Sequence, residues 1–331
     1  MELTRRRALL AAATAGGIGA TAGCLEGSGG SGDAGASETS AQSSFFVFGD
    51  IADHVAGDAA ASELLVPVGQ HGHGWEPGPR VREDIGDADL FVHGMEGFQP
   101  WVDNIRGDLL ADGADVATVD ASADVSLLEA GDHRQEEDDH DGEDHEEGDD
   151  HDSGAMDPHF WMDPIRTREA VGTISQGFAD VDPANADTYI ENAESFGAQL
   201  EDLHERIDSL VAEASSDVLL VAGHDSFSYF VDRYGVTVES LTNVSPDDRP
   251  TSRDIERARE VVETHGIEYL CADPLESQQA AEQLAEETNV EGVLPLTAMP
   301  GLTDEWDADG WGYVGIMENV NIPTLEQALD A

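Results

Sequence analysis

The sequence predicts an α/β protein made of two Rossmann-like lobes with mostly parallel sheets, joined by one long rigid helix. Short apolar runs alternate with amphipathic stretches on both sides of a central segment, and the length of 331 residues suits two domains. The central segment, 182–215, begins with Asp182 and Pro183 as helix-starting residues and then has no proline as far as Ala214. Its apolar residues recur at three- and four-residue spacing, which predicts a single linker helix of about thirty residues.

The chain begins with the layout of an export signal. Arginines in segment 4–10 precede an apolar stretch rich in Ala and Gly, which resembles a twin-arginine signal and is shorter than the roughly 20 residues of a spanning helix. The sequence Thr21-Ala-Gly-Cys24 resembles a lipoprotein processing box, although Thr21 stands where leucine is common. Residues 1–24 are therefore predicted to be a twin-arginine-like lipoprotein signal with Cys24 as the lipidated residue. The alternative is an ordinary cleaved signal with an incidental cysteine.

The chain carries 71 acidic residues against 15 basic ones, all arginine, and its net charge is −56. Such charge repels itself unless salt screens it, and molar salt shortens the screening length to about 3 Å. The composition predicts adaptation to high salt, as in an extreme halophile, and argues against nucleic acid as a partner. The other cysteine, Cys271, lies in an apolar run and is predicted to be a small core residue.

The mature chain divides into a tether and two lobes. Residues 25–43 are rich in Gly, Ser and Ala and are predicted to be a flexible tether. Residues 44–181, beginning with the apolar run 45–48, form the predicted N-terminal lobe. Residues 216–331 form the predicted C-terminal lobe, which starts with the apolar run 218–222.

An acidic segment interrupts the first lobe at residues 132–152. It contains thirteen acidic residues and no apolar side chain to bury, so it is predicted to be a disordered loop. Its four histidines are His133, His140, His145 and His151.

Three further histidines are each flanked by turn-forming and aromatic residues at the predicted end of a strand. Because ligands collect at the carboxyl ends of strands in α/β sheets, the three side chains are expected to converge. Three imidazoles suit zinc, with a carboxylate or water in the fourth position. The segments are Gly72-His73-Gly-Trp-Glu-Pro77, Asp157-Pro-His159-Phe-Trp-Met-Asp-Pro164 and Ala222-Gly-His224-Asp-Ser-Phe227.

These motifs, in this order, resemble the zinc and manganese substrate-binding proteins of ABC importers. The resemblance also includes Pro100-Trp101 and Arg233-Tyr-Gly235, and it runs from about residue 45 to the C-terminus. It implies two α/β lobes with the metal between them. It also implies that His73, His159 and His224 coordinate the metal.

The resemblance also bears on the fourth ligand, which in this family is usually an acid shortly before a Tyr-x-x-x-Met segment, or else a water. Tyr313 to Met317 matches that segment, but Trp311 and Gly312 precede it, which leaves Asp309 as the candidate acid. A water-completed site of three histidines is the alternative, and it favours zinc over manganese.

Several nearby groups have two open interpretations. Asp163 and Asp225 either orient the imidazoles through their second nitrogens or cap the helices that follow. His71 is either an auxiliary ligand or a bystander. The histidines of the acidic loop either capture zinc weakly, as the family resemblance implies, or belong to a solvated insertion. His54, His93, His204 and His265 lack such motifs and are expected to be structural or exposed.

The predicted function is that of an extracytoplasmic solute-binding protein, anchored by lipid to the outer face of the cell membrane. It is expected to be a monomer without enzymatic activity that captures zinc and delivers it to an ABC permease with its ATPase subunit. A manganese- or iron-specific member of the same family is one alternative, and a lipid-anchored adhesin or metal-storage protein is another. An exported zinc hydrolase would also use three histidines, but no His-Glu-x-x-His motif occurs.

Overall fold

The computed structural model describes residues 39–131, 155–244 and 249–331. The predicted signal with Cys24, residues 25–38 of the predicted tether and the acidic loop with His133, His140, His145 and His151 lie outside these ranges. Among the helices of the described ranges, none has both the length and the apolar character needed to cross a membrane.

Within the described residues, the strands form two four-stranded parallel sheets, one in each lobe, as predicted. The first sheet has the order β2-β1-β3-β4 and the second has the order β6-β5-β7-β8. The strands are β1 Ser40–Ser43, β2 Ala61–Leu64, β3 Leu90–His93, β4 Ala117–Asp120, β5 Val218–Val221, β6 Thr237–Ser240, β7 Tyr269–Ala272 and β8 Gly292–Pro295.

Helices cover the sheets and connect the lobes. The helices are α1 Phe46–Ala56, α2 Val81–Asp87, α3 Pro100–Asp112, α4 Pro164–Val181, α5 Ala186–Glu213, α6 Ser228–Tyr234, α7 Ser252–His265, α8 Gln279–Glu287, α9 Asp304–Ala308, α10 Tyr313–Ile316 and α11 Ile322–Ala328. A 3-10 turn spans Phe160–Met162, and a π-helical turn, Met317–Asn321, joins α10 to α11.

Helix α5 is the predicted linker, and it begins four residues later than the sequence indicated. Asp182 starts a turn instead of the helix, because its carboxylate accepts hydrogen bonds from the Asn185 amide at 2.7 Å and the Tyr189 hydroxyl at 2.8 Å. The apolar face of α5 packs against α1 and α4 of the first lobe and against α10 and α11 of the second. One helix therefore supports both lobes.

The predicted tether boundary at residue 43 is wrong, because Ser40–Ser43 forms the interior strand β1, paired with β2 and β3. This strand consists of small and polar residues and lacks the apolar signal of a buried strand. The apolar run 45–48 instead leads into α1, which is buried on most of its surface. A short apolar run does not distinguish a buried strand from a buried helix.

The largest apolar core is continuous between the lobes. It includes Phe45 and Phe178 from the first lobe together with Leu219 and Tyr313 from the second. Cys271 is fully buried in this core, as predicted. The continuous packing limits how far the lobes can separate without exposing apolar surface.

Candidate metal centre

His73, His159 and His224 converge at the cleft between the lobes. One ring nitrogen from each lies within 4.8 Å of the others, and no other group of at least three His, Cys, Asp or Glu residues in the described ranges meets that criterion. The Nε2 atoms of His159 and His224 are 3.4 Å apart. Two nitrogens bound to one tetrahedral zinc at about 2.05 Å would lie roughly 3.3 Å apart, so this spacing fits zinc.

The three histidines reach the cleft from different local structures. His224 follows β5 closely, and His73 lies in the loop after β2. His159 does not follow a strand end as predicted, since β4 ends at Asp120. It lies directly before the 3-10 turn that leads into α4.

A buried carboxylate orients His159. The Nδ1 of His159 donates to Asp157 Oδ1 at 2.7 Å, which leaves Nε2 facing the other histidines. Burial tends to raise the pKa of Asp157, but its interactions with His159 outweigh burial and hold that pKa below its ordinary value. An ionised carboxylate at Nδ1 fixes the tautomer and ring orientation that a zinc ligand needs.

Of the two interpretations left open for Asp163, orientation of an imidazole or capping of a helix, the described hydrogen bonds support the cap. Its carboxylate caps the start of α4 by accepting from the backbone N–H of Ile165 at 2.9 Å. The same carboxylate accepts from Arg233 at 2.6 Å and from Arg166 at 3.1 Å. Asp163 therefore joins the first lobe to α6 of the second lobe. None of these hydrogen bonds involves His159. The alternative interpretation of Asp163, as a helix cap, is the one that the structure supports.

Glu276 orients His224. The Nδ1 of His224 donates to Glu276 Oε1 at 2.7 Å, so Glu276 fills the orienting role that was one of the two interpretations open for Asp225. Burial opposes ionisation of Glu276, yet the hydrogen bond from His224 and the electrostatic effect of His224 and His71 lower its pKa to about 2. The backbone N–H of Asp225 donates to Asn243 at 3.0 Å. The available signal for Glu276 was an acidic residue shortly after the end of β7.

His73 is held by ring packing and by its loop. Its imidazole makes edge contacts with Phe45 and Phe98, with ring centroids 5.4 and 4.7 Å apart. The loop is fastened by the backbone N–H of Gly72, which donates to Pro300 at 2.7 Å. Burial, with the neighbouring His159, lowers the pKa of His73 well below its ordinary value, so the imidazole stays neutral as a zinc ligand must.

Asp309 is not part of this group, and its assignment as fourth ligand is wrong. It is exposed directly after α9, where its backbone N–H donates to Glu305 at 3.0 Å. The nearby Tyr313 instead supports the 3-10 turn that follows His159, because its hydroxyl donates to the carbonyl of Trp161 at 2.6 Å. The described residues thus supply three imidazoles within 4.8 Å of one another and no carboxylate within that group.

A hydrogen-bonded seam connects the backbone beside His159 to the second lobe. The Tyr229 hydroxyl donates to the carbonyl of Asp157 at 2.6 Å and accepts from the N–H of Leu128 at 2.9 Å. Arg166 lies over the Tyr229 ring, 5.0 Å from its centroid. The position of His159 therefore depends on α6 of the opposite lobe.

The remaining described histidines divide into a neighbour of the site and structural residues. The His71 ring lies 5.3 Å from that of His73, and its Nε2 is 3.7 Å from Glu276. The other four lie elsewhere, as expected. They are His54, stacked on Phe196, His93, buried as the last residue of β3, His204, packed on Tyr234, and His265, exposed at the end of α7.

The chain is similar to known zinc-uptake components. Residues 42–328 match the family model described as ZnuA, the periplasmic component A of the zinc-uptake complex. The chain is 29% identical over 285 residues to the high-affinity zinc uptake system protein ZnuA of Bacillus subtilis, covering 86% of each chain. It is 30% identical over 286 residues to the zinc-binding lipoprotein AdcA of Streptococcus pneumoniae. That match covers 86% of this chain and 55% of AdcA, so the chain spans about half the length of that relative.

The fold is similar to that of a solved zinc-bound structure. The Zn(II)-bound ZnuA-like domain of Streptococcus pneumoniae AdcA superposes with a TM-score of 0.72 at 26% sequence identity. The superposition covers 89% of this chain and 100% of that domain, so both lobes are included.

Proposed function

The chain belongs to the ZnuA family of zinc-uptake components, and we propose that it captures zinc between its lobes and delivers it to the permease of an ABC importer. The observation on which this proposal rests is the convergence of His73, His159 and His224 within 4.8 Å. Two of the three imidazoles are already oriented by carboxylates, so little reorganisation is needed when the ion binds.

The donor set favours zinc over manganese or iron. Neutral imidazoles suit zinc, whereas manganese is better served by carboxylate and carbonyl oxygens. The nearest orienting carboxylates, Asp157 and Glu276, are hydrogen-bonded to the far side of the imidazoles. A water is therefore the proposed fourth ligand. Bound zinc in the similar AdcA domain supports the same choice.

The arrangement supports capture of an ion better than hydrolysis. A zinc hydrolase needs a general base that can take a proton from the metal-bound water. The carboxylates beside the described site each accept from the Nδ1 of an imidazole at 2.7 Å, on the side of the ring away from the metal position. We therefore propose a binding protein and no catalytic step. Neighbouring genes for a permease and an ATPase would separate uptake from an adhesin or storage role.

The location and state of the protein are further parts of the proposal. The N-terminal pattern supports export and lipid attachment at Cys24, at the outer face of the membrane, and we propose that the protein is a monomer there. The net charge of −56 supports a high-salt habitat. For the acidic loop, we propose weak zinc capture by its histidines. The described residues on either side of the loop pair with each other, because Ala130 donates to Ala155 at 2.8 Å, and Asp157, which contacts His159, follows two residues later.

Zinc uptake by cells tests the function. Cells lacking the chain receive the wild type, His159→Ala or the matched control His265→Ala, which changes an exposed histidine at the end of α7. We expect the wild type and the control to restore uptake of radioactive zinc from limiting medium, and His159→Ala to fail at equal protein level. Equal uptake by all three variants would contradict the proposal.

A further inference from the structure

We propose that His71 and Glu276 form an outer zinc position, through which the ion passes before it reaches the three histidines. This inference rests on the proposed function and extends it to a residue pair outside the three-histidine group. His71 lies in the same loop as His73, whereas Glu276 follows β7 of the second lobe. The outer position therefore bridges the two lobes.

The first argument is an imidazole nitrogen that has no hydrogen-bond partner. The Nε2 of His71 is buried and makes no hydrogen bond with another described group. It faces Glu276 Oε1 at 3.7 Å, which exceeds hydrogen-bond distance. Two ligand atoms bound to one zinc at about 2.0 to 2.2 Å lie roughly 3.3 to 3.6 Å apart. A small closure of this gap would therefore place an ion between the nitrogen and the carboxylate.

The second argument is the position of the Glu276 carboxylate, whose two oxygens face different neighbours. Oε1 is shared with His224, while Oε2 lies over Gly223, where an added Cβ would come within 2.8 Å. The glycine leaves room for the carboxylate. Glu276 can thus contact an outer ion and remain linked to an inner ligand.

The third argument is the position of the pair relative to a cavity of about 820 Å³. His71, Glu276 and His224 line this cavity, whereas His73 and His159 are absent from its described lining. An ion in the cavity therefore meets the His71 and Glu276 pair and one of the three inner ligands. One exposed guanidinium, that of Arg249, also lines the cavity and would repel a cation.

The fourth argument is the distance between His71 and the three inner histidines. The His71 ring centroid lies 5.3 Å from that of His73 and 6.3 Å from that of His224. Its ring nitrogens do not join the group within 4.8 Å. The outer pair and the inner group are therefore adjacent, and His224 is linked to both through Glu276.

Anomalous diffraction at the zinc edge tests the proposal on the full chain crystallised with excess zinc. We expect one peak among His73, His159 and His224 and a weaker peak between His71 and Glu276. His71→Asn should abolish the outer peak and keep the inner one. The control Arg249→Gln should keep both peaks, with the outer peak unchanged or stronger because a repelling charge is removed.

The outcomes separate this proposal from the proposed function. An inner peak alone in the wild type, or an outer peak that persists in His71→Asn, would overturn the outer position and leave zinc binding intact. Absence of the inner peak would overturn zinc binding itself. A chelator competition in solution gives the same distinction, because His71→Asn should lose a weak zinc equivalent while the tight equivalent keeps its affinity.

Discussion

The histidine wall, formed by His159 and His224, and the His73 loop, residues 69–73, hold their zinc ligands by different means. Each histidine of the wall donates Nδ1 to a carboxylate at 2.7 Å. Among the described residues, the His73 ring contacts the rings of Phe45 and Phe98, and its loop is held by backbone hydrogen bonds to residues 300 and 302 of the second lobe. The wall is oriented by side-chain chemistry, whereas the loop is positioned by contact between the lobes.

Among changes outside the three histidines, the largest expected effect on zinc affinity comes from removing the carboxylate charge behind His159 or His224. Asp157→Asn and Glu276→Gln should each weaken zinc binding about 10- to 100-fold, since outer partners of metal-bound histidines have effects of this size. Chelator competition measures the affinity. The control Glu282→Gln changes an exposed acid on α8 and should leave the affinity unchanged. Unchanged affinity in both buried variants would contradict orientation by carboxylates.

A smaller effect is expected from disturbing the loop. A Cβ at position 72 would lie 2.7 Å from the Phe45 ring and 2.8 Å from the Pro300 carbonyl, so Gly72→Ala must shift the loop. We expect weaker zinc binding, by less than the roughly 10- to 100-fold range of the wall variants. Gly74→Ala is the matched control, because an added Cβ there meets nothing within 4 Å. Equal affinities in the two variants would show that the loop position does not matter.

Asp163→Asn separates stability from zinc binding. This carboxylate is buried and pairs with Arg233 and Arg166, and breaking a buried ion pair costs about 3 to 5 kcal/mol of unfolding free energy. We expect denaturant unfolding to show a large part of that loss, while zinc affinity per folded molecule hardly changes. A loss of affinity as large as that of Asp157→Asn would restore an orienting role for Asp163.

The smallest effect concerns the pH dependence of the zinc-free protein. The pKa of His73 is lowered in the folded state, so the unfolded chain binds the additional proton first as the pH falls below about 6.5. Stability should therefore decrease on acidification, by at most about 1.4 kcal/mol per pH unit for this one group. Urea unfolding in high salt measures the slope. His73→Asn should flatten it, and an identical slope would contradict a lowered pKa for His73.

The sequence predicted the features that depend on local pattern. The repeated apolar spacing of α5 and the motifs around the three histidines are local, and both appear in the structure as expected. The sequence did not identify Asp157 and Glu276 as the partners of His159 and His224. Which carboxylate reaches the second nitrogen of an imidazole depends on the folded structure. Asp163 and Asp225 are close in sequence, but Glu276 reaches His224 from another strand end.

The sequence was misleading where tertiary packing overrides local composition. Ser40–Ser43 has the composition of a tether, yet its interior position in the sheet gives it two strand partners. The prediction of Asp309 as a ligand depends on its distance from Tyr313 along the chain. The turn after α9 leaves it exposed and outside the three-histidine group.

The most direct test is the zinc content of the full chain purified in high salt, compared with His73→Ala, His159→Ala and His224→Ala. Tight zinc, defined by competition with a chelator, should be one equivalent in the wild type and should be lost in all three variants. The residual zinc affinity should be lowest for the His159 and His224 variants. Retention of the tight equivalent in all three variants would contradict the three-histidine site.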